Sequence, residues 1–357
     1  MSNETIFTQL GTYNHEQIVF CNDNDTGLKA IIAIHNTVLG PGLGGTRIWN
    51  YNNEAEAVTD VLRLSRGMTY KAAISGLNLG GAKAVIIGDA SKIKTEGLMR
   101  KFGRFVENLN GKYITAEDVN TTTKDMVYVN METSHVVGLP ENMGGGGDPS
   151  PVTAFGTYMG MKASAKHVWG NDSLAGKKVA VQGIGKVGGH LLEFLHKEGA
   201  KLVIADINEE TLKHYSATLG AEVVNGNDIY SVDADIFAPC ALGAILNTEN
   251  IGKLNCAIVA GAANNQLAEE EIHGPMLLEK GITYAPDFLI NAGGLINVYQ
   301  EYIGYNRELA MGKAEHIYDI TLEVLKTSAQ TKVHSQKVAT QLAEKRIADI
   351  AKVRATY

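Results

Sequence analysis

The stretch from Lys178 to Asp206 constrains this chain more than any other. Lys178-Val179-Ala180-Val181-Gln182 reads as a short buried strand that runs straight into Gly183-Ile184-Gly185-Lys186-Val187-Gly188, a filled Gly-x-Gly-x-x-Gly pattern. The first glycine permits a tight turn, the second lets a pyrophosphate approach bare backbone, and the third lets the following helix pack on the strand. That helix, with Leu191, Leu192, Phe194 and Leu195 on its buried face and Gly199 at its end, offers unpaired amides to phosphate oxygens. A second strand, Leu202 to Ala205, then delivers Asp206, placed to bind ribose hydroxyls. A carboxylate there repels a 2′-phosphate, and Ile207-Asn208 supply no arginine to reverse the preference. The expected cofactor is therefore NAD rather than NADP.

Further short apolar runs at Ile236-Phe237-Ala238, Ala257 to Ala260 and Ile282 to Ala285 end near Pro, Gly or Asn. Alternating strand and helix signals of this kind imply an α/β, Rossmann-type doubly wound sheet. A chain of 357 residues exceeds what one core usually supports, so a second domain is expected. The run Gly144-Gly145-Gly146-Gly147-Asp148-Pro149-Ser150-Pro151 reads as the linker. The division expected is 1–148 for substrate, 149–330 for dinucleotide, and 331–357 as a helical segment packing back on the first domain.

Earlier in the chain, apolar runs Glu16 to Cys21 and Leu28 to His35 flank Asn22-Asp23-Asn24-Asp25-Thr26-Gly27, a hairpin signature. Thr46 to Tyr51 is expected as a strand. Glu54 to Lys71 is expected as a helix with Ala55, Val58, Val61, Leu62 and Ser65 inward. Gly80-Gly81-Ala82-Lys83, too short for a Walker loop, precedes the strand Ala84 to Ile87. A helix over Thr95 to Leu109 and a strand over Tyr113 to Ala116 follow. Glu117-Asp118 then sit at a strand's carboxyl end, where ligand chemistry gathers in α/β sheets, with Asn120 or Thr121 as the next helix cap. Beyond Asn291-Ala292-Gly293-Gly294 the pattern is helical.

A net charge of −7 argues against nucleic acid or anionic membrane as partner. The start, Met1 to Thr5, lacks a signal peptide's basic region and apolar core, and no apolar run reaches spanning length, so a cytoplasmic location is expected. Cys21, Cys240 and Cys256 are dispersed and lack ligand spacing; buried reduced thiols are expected, and no metal site.

Seven motifs carry a further reading: Gly40-Pro41-Gly42-Leu43-Gly44-Gly45-Thr46-Arg47, Met68-Thr69-Tyr70-Lys71, Gly80-Gly81-Ala82-Lys83, Thr115-Ala116-Glu117-Asp118-Val119, Ser150-Pro151-Val152-Thr153, Ala262-Ala263-Asn264-Asn265-Gln266 and Asn291-Ala292-Gly293-Gly294. In this order they resemble the glutamate, leucine, phenylalanine and valine dehydrogenase family, most of all its leucine-using members, over nearly the full chain. The resemblance implies an N-terminal α/β catalytic domain, a dinucleotide domain, an active site between them and a homo-oligomer. It also implies reversible oxidative deamination of an L-amino acid to a 2-oxo acid, ammonia and NADH. Carried over by position, it makes Lys83 and Asp118 catalytic and gives the substrate carboxylate to Lys71 and Asn265. Leu43, Gly44, Gly45, Ala116, Leu295 and Val298 line the substrate, while Thr153 and Cys240 join Gly183, Gly185, Lys186, Val187, Gly188 and Asp206 around the cofactor.

The chemistry is coherent with that assignment. Taking hydride from an α-carbon and adding water to the resulting iminium needs a base near neutral pH, and desolvation beside another cation can lower a lysine from its usual 10.4. Lys71 must instead stay charged to hold a carboxylate. In glutamate-using relatives the position of Leu43 is a lysine; without that cation a second carboxylate would be buried at high cost. The expected substrates are thus branched aliphatic L-amino acids, leucine first. The alternatives are a phenylalanine or glutamate dehydrogenase, or a catalytically silent NAD-binding protein on the same fold. Asn120 stands where relatives often have glycine, and Leu295 where valine is commoner.

Overall fold

The computed structural model describes residues 5–354. Contacts divide the chain into two units, one of residues 1–147, 298–306 and 343–357, the other of 148–297 and 307–342. Both units are discontinuous, whereas the segments drawn from the sequence were consecutive.

The first unit is built on a mixed sheet of β1 (Gln17–Asp23), β2 (Leu28–Asn36), β3 (Gly42–Trp49), β4 (Gly80–Ile87) and β5 (Tyr113–Glu117), in the order β1-β2-β4-β3-β5. β1 and β2 form the expected hairpin, its turn held by Asp23 Oδ2, which accepts from the Thr26 amide at 3.0 Å and hydroxyl at 2.7 Å. β3 runs parallel to β4 and β5. Alternation divides the core: Ala30, Ile32, Ile34, Ala82, Ala84 and Ile86 pack with Leu98, Met99 and Phe102 of the Glu96–Glu107 helix. Ile31, Ala33 and Val85 face Ala57, Val58, Val61 and Leu62 of the Glu54–Ile74 helix. Lys83 has the parity of Val85 and so takes the second face. Ala55 is exposed and Ala57 fills the inward position expected of it, because the helix turns 100° per residue and Ala57 completes the stripe with Val58, Val61 and Leu62.

On this face buried His35 packs against half-buried His15. Neutral His35 donates from Nε2 to the Tyr13 carbonyl at 3.0 Å and accepts from Thr69 at 2.8 Å; His15 Nε2 lies 2.8 Å from Ser65 Oγ, and the two rings are 4.7 Å apart. Burial pushes both down to about 4.

Two strands begin earlier than expected, inside glycine patterns. β3 starts at Gly42 rather than Thr46, and β4 at Gly80 rather than Ala84. The physical reason is close approach: a Cβ on Gly44 would lie 1.7 Å from the Ala82 carbonyl oxygen, and one on Gly81 2.1 Å from the Thr69 amide nitrogen. The linker run is also shorter than expected, since Ser150 and Pro151 form the first turn of the Ser150–Trp169 helix, where proline's missing N–H costs nothing.

The second unit carries a six-stranded parallel sheet of β6 (Lys178–Gln182), β7 (Lys201–Ala205), β8 (Glu222–Val223), β9 (Ile236–Pro239), β10 (Ile258–Val259) and β11 (Thr283–Tyr284), ordered β11-β10-β9-β6-β7-β8. This is the doubly wound order, and it reverses between β6 and β9, where such sheets bind ligands. The Lys186–Glu198 helix buries Leu191, Leu192 and Leu195 and ends at Gly199. Phe194 is only half buried, stacking 5.5 Å from the Tyr158 ring. Among the described residues all three cysteines are free, no helix is long and apolar enough to cross a membrane, and no cluster of three or more His, Cys, Asp or Glu is placed to hold a metal.

Candidate active site

In the first unit, β3, β4 and β5 bring Lys83 and Asp118 together. Lys83, within β4, is 6% exposed, and its Nζ donates to Asp118 Oδ2 at 2.8 Å. Asp118 follows β5, and Gly45 is what lets it approach: a Cβ there would sit 2.5 Å from the Glu117 carbonyl oxygen and 2.9 Å from Asp118 Cβ. The Asp118 amide donates to Thr121 Oγ1 at 2.8 Å, and that hydroxyl reaches the Thr46 carbonyl at 2.9 Å. Thr121 therefore pins the Asp118 loop to β3 rather than capping the next helix. Thr122 is that helix's N-cap, with its amide on Asp125 Oδ2 at 2.8 Å. Asn120 adopts φ 62°, a left-handed conformation that glycine and asparagine tolerate best. Its side chain donates to the Ile48 carbonyl at 2.9 Å.

Burial works against charge on Asp118, but the Lys83 ammonium and the Arg47 guanidinium outweigh it and hold the carboxyl below the usual carboxylate range. Arg47 Nε lies 3.3 Å from Asp118 Oδ2, and its NH1 is 3.1 Å from Asp60 Oδ2, which also accepts from Tyr51 at 2.6 Å. Sequence reasoning missed Asp60 and Tyr51; the only available signal was Arg47 at the end of a motif already singled out. Beneath, Tyr113 donates to the Gly44 carbonyl at 2.8 Å and Thr46 Oγ1 meets Thr115 Oγ1 at 2.6 Å, so the glycine pair rests on buried hydroxyls.

Lys71 lies in the last turn of the Glu54–Ile74 helix. Arg346 fastens that end, donating to the carbonyls of Ala73 at 3.0 Å and Leu77 at 2.8 Å, and Tyr70 donates to Glu344 at 3.0 Å. Leu43 and Ala116 are buried on β3 and β5, with Gly45 opposite Ala116. Val298 is half buried and belongs to the same unit.

The second unit holds the dinucleotide motif. Gly183 has φ 93°, and a Cβ on it would strike Ala241 at 2.6 Å; one on Gly188 would lie 2.2 Å from the Gly183 carbonyl oxygen. A Cβ on Gly185 meets nothing within 4 Å. Two glycines thus serve the fold and the middle one leaves open space before a helix N-terminus, the cradle a pyrophosphate requires. Val187 belongs to the first turn of that helix. Asp206 closes the loop, accepting from the amides of Ile184 and, at 2.8 Å, Asn208. Lys186 is exposed and pairs with Asp148 at 3.2 Å.

Cys240 follows β9 across the switch point, and its Sγ accepts from the Ala262 amide at 3.4 Å; burial pushes the thiol up to about 12, so it is neutral. Thr153 donates to the Pro149 carbonyl at 2.9 Å, and a Cβ on Gly294 would come within 2.9 Å of its Oγ1. Asn264 Oδ1 is taken by Asn291 at 2.7 Å, whereas Asn265, at φ 51°, is exposed. Leu295 is buried.

Comparison with known proteins identifies the family. Residues 15–135 match the model of the Glu/Leu/Phe/Val dehydrogenase dimerisation domain, and residues 144–207 and 204–355 that of Glutamate/Leucine/Phenylalanine/Valine dehydrogenase. The chain is 55% identical to leucine dehydrogenase of Thermoactinomyces intermedius, covering 99% of this chain and 96% of the relative. It is 48% identical to phenylalanine dehydrogenase of Caldalkalibacillus thermarum, covering 96% and 94%. The crystal structure of L-tryptophan dehydrogenase from Nostoc punctiforme superposes with a TM-score of 0.87 at 46% identity, covering 97% of this chain and 99% of that one.

Proposed function

Because this chain belongs to the Glu/Leu/Phe/Val dehydrogenase family and is an amino acid dehydrogenase, we propose that it oxidises branched aliphatic L-amino acids, leucine first, to 2-oxo acids and ammonia with NAD. One observation carries the reading: a lysine ammonium, 6% exposed, ion-paired at 2.8 Å with a carboxylate that a neighbouring glycine, with no room for a Cβ, lets approach.

In this reading Lys71 holds the substrate carboxylate, shared with Asn265, because a fixed cation at a helix end orients an anion without taking part in proton transfer. NAD, when bound, supplies the acceptor for the hydride that leaves the α-carbon. Gly183, Gly185, Lys186, Val187 and Gly188 hold its pyrophosphate, Asp206 its ribose, and Thr153 and Cys240 flank its nicotinamide. Lys83 takes a proton from the water that adds to the substrate's iminium carbon, and Asp118 moves protons to and from the departing nitrogen. The preference for NAD rests on Asp206, whose carboxylate would repel a 2′-phosphate.

Leu43, Ala116, Leu295 and Val298 supply apolar walls and no cation for a second carboxylate, which favours leucine, isoleucine and valine over glutamate. The relatives named for phenylalanine and tryptophan give an aromatic substrate as the second reading. A homo-oligomer is supported by the match of residues 15–135 to the family's dimerisation domain. The test is NADH formation measured at 340 nm across leucine, isoleucine, valine, phenylalanine, tryptophan and glutamate, with NAD and with NADP. The highest kcat/KM with leucine and NAD is expected. A higher value with an aromatic amino acid overturns the aliphatic assignment, and no turnover with any of the six overturns the reading.

A further inference from the structure

Asp118 is shared by two cations, and one of them never titrates in proteins. Lys83 Nζ and Arg47 Nε both reach Oδ2, at 2.8 and 3.3 Å. The far end of Arg47 is fixed as well: NH1 meets Asp60 Oδ2 at 3.1 Å, and Tyr51 donates to that same oxygen at 2.6 Å. Arg47, Asp118 and Asp60 each keep about a quarter of their side chain exposed, so the row Lys83–Asp118–Arg47–Asp60–Tyr51 is partly desolvated along its length. It joins β4, the loop after β5, β3 and the Glu54–Ile74 helix. The Asp118 charge also acts on buried Tyr113 and helps keep its phenol protonated.

We propose that Arg47 is the positioning residue for Asp118: it holds the oxygen that Lys83 also uses, so the carboxylate keeps its charge and its aim when Lys83 gives up its proton. Alone, a lysine and an aspartate in contact can settle as a closed pair sharing one proton. With Arg47 on the same oxygen, the carboxylate's charge is divided between two cations, and a guanidinium remains to balance it after Lys83 becomes neutral. Asp60 and Tyr51 keep Arg47 from swinging away. A lysine at position 47 would carry the charge but could not span both carboxylates, since it lacks the planar fork.

This inference rests on the proposed function, so its test has one arm within turnover and one outside it. In L-leucine oxidation by the full-length protein, Arg47→Met is expected to lower kcat by about 30-fold, the order seen when a partner orienting a site group is lost. The pH at half-maximal kcat should rise by about one unit, with KM for leucine and the NADH dissociation constant within threefold of wild type. Arg47→Lys should fall between Arg47→Met and wild type, and Asp60→Asn should move both quantities the same way by less. An unchanged pH midpoint in Arg47→Met, or a loss confined to KM or to thermal stability, overturns the proposal.

The second arm is the rate of Lys83 modification by trinitrobenzenesulfonate in NAD-free protein at pH 8, read by peptide mass spectrometry. Arg47→Met should react more slowly than wild type, and equal rates overturn the proposal. If wild type turns over no amino acid, the function reading fails, while the labelling still decides the role of Arg47.

Discussion

Replacing Asp118 with Asn removes one charge and almost no volume, and its effect follows from the geometry. At 2.8 Å and an effective dielectric constant of about 20, the Lys83–Asp118 attraction is about 6 kcal/mol. Part of it offsets the cost of desolvating a lysine that is only 6% exposed, and part of the carboxylate's charge goes to Arg47 at 3.3 Å. The single variant should therefore lose about 3 to 5 kcal/mol, because Lys83 is left buried without its counter-ion. Lys83→Met removes the other charge, and in that background Asp118→Asn should cost much less, leaving a coupling of about 3 kcal/mol. The assay is guanidinium unfolding of wild type, both single variants and the double variant at one fixed protomer concentration, since assembly contributes to apparent stability. Additivity within about 0.5 kcal/mol would refute the claim that these side chains form one electrostatic unit.

Two other expectations address separate parts of the molecule. With His15 and His35 held down at about 4 by burial, the unfolded chain takes up protons first as pH falls. Stability is therefore intact above about 6.5 and is lost toward pH 4, His35 contributing about 3 kcal/mol of the loss. His35→Gln should show a visibly smaller drop in melting temperature between pH 7 and 4.5, and an equal drop would count against a neutral His35 in the folded protein. Gly185→Ala should fold like wild type, because its Cβ meets open space, yet bind NADH at least about tenfold more weakly by fluorescence titration. Gly188→Ala should instead lose about 1 to 3 kcal/mol of stability against the Gly183 carbonyl. The reverse pattern would mean that the loop does not cradle a phosphate.

The dinucleotide unit was legible from the sequence because its signals are local: β6, the three glycines, the helix and Asp206 occupy one continuous stretch, and the strand order follows from the alternation. The first unit was harder to read. Gly42 to Gly45 and Gly80 to Gly81 carry the composition of turns, and only the parallel pairing of β3 with β4 explains why bare backbone is needed in mid-strand. Lys83 and Asp118 were found through ordered motifs, not through any periodicity, since 35 positions of chain separate them. The Arg47–Asp60–Tyr51 arm had no local signature at all. Each partner is an ordinary polar residue until β3 and the Glu54–Ile74 helix are packed, and the same is true of Arg346, which fastens the helix end bearing Lys71.

The most direct test of the account is Lys83→Met, measured for both turnover and cofactor affinity. Leucine oxidation should fall by about a thousandfold while the NADH dissociation constant stays within twofold, because the proposed function gives the proton chemistry to Lys83 and the dinucleotide to the Gly183–Gly188 loop. Turnover within tenfold of wild type, or a loss matched by failure to bind NADH, would contradict it.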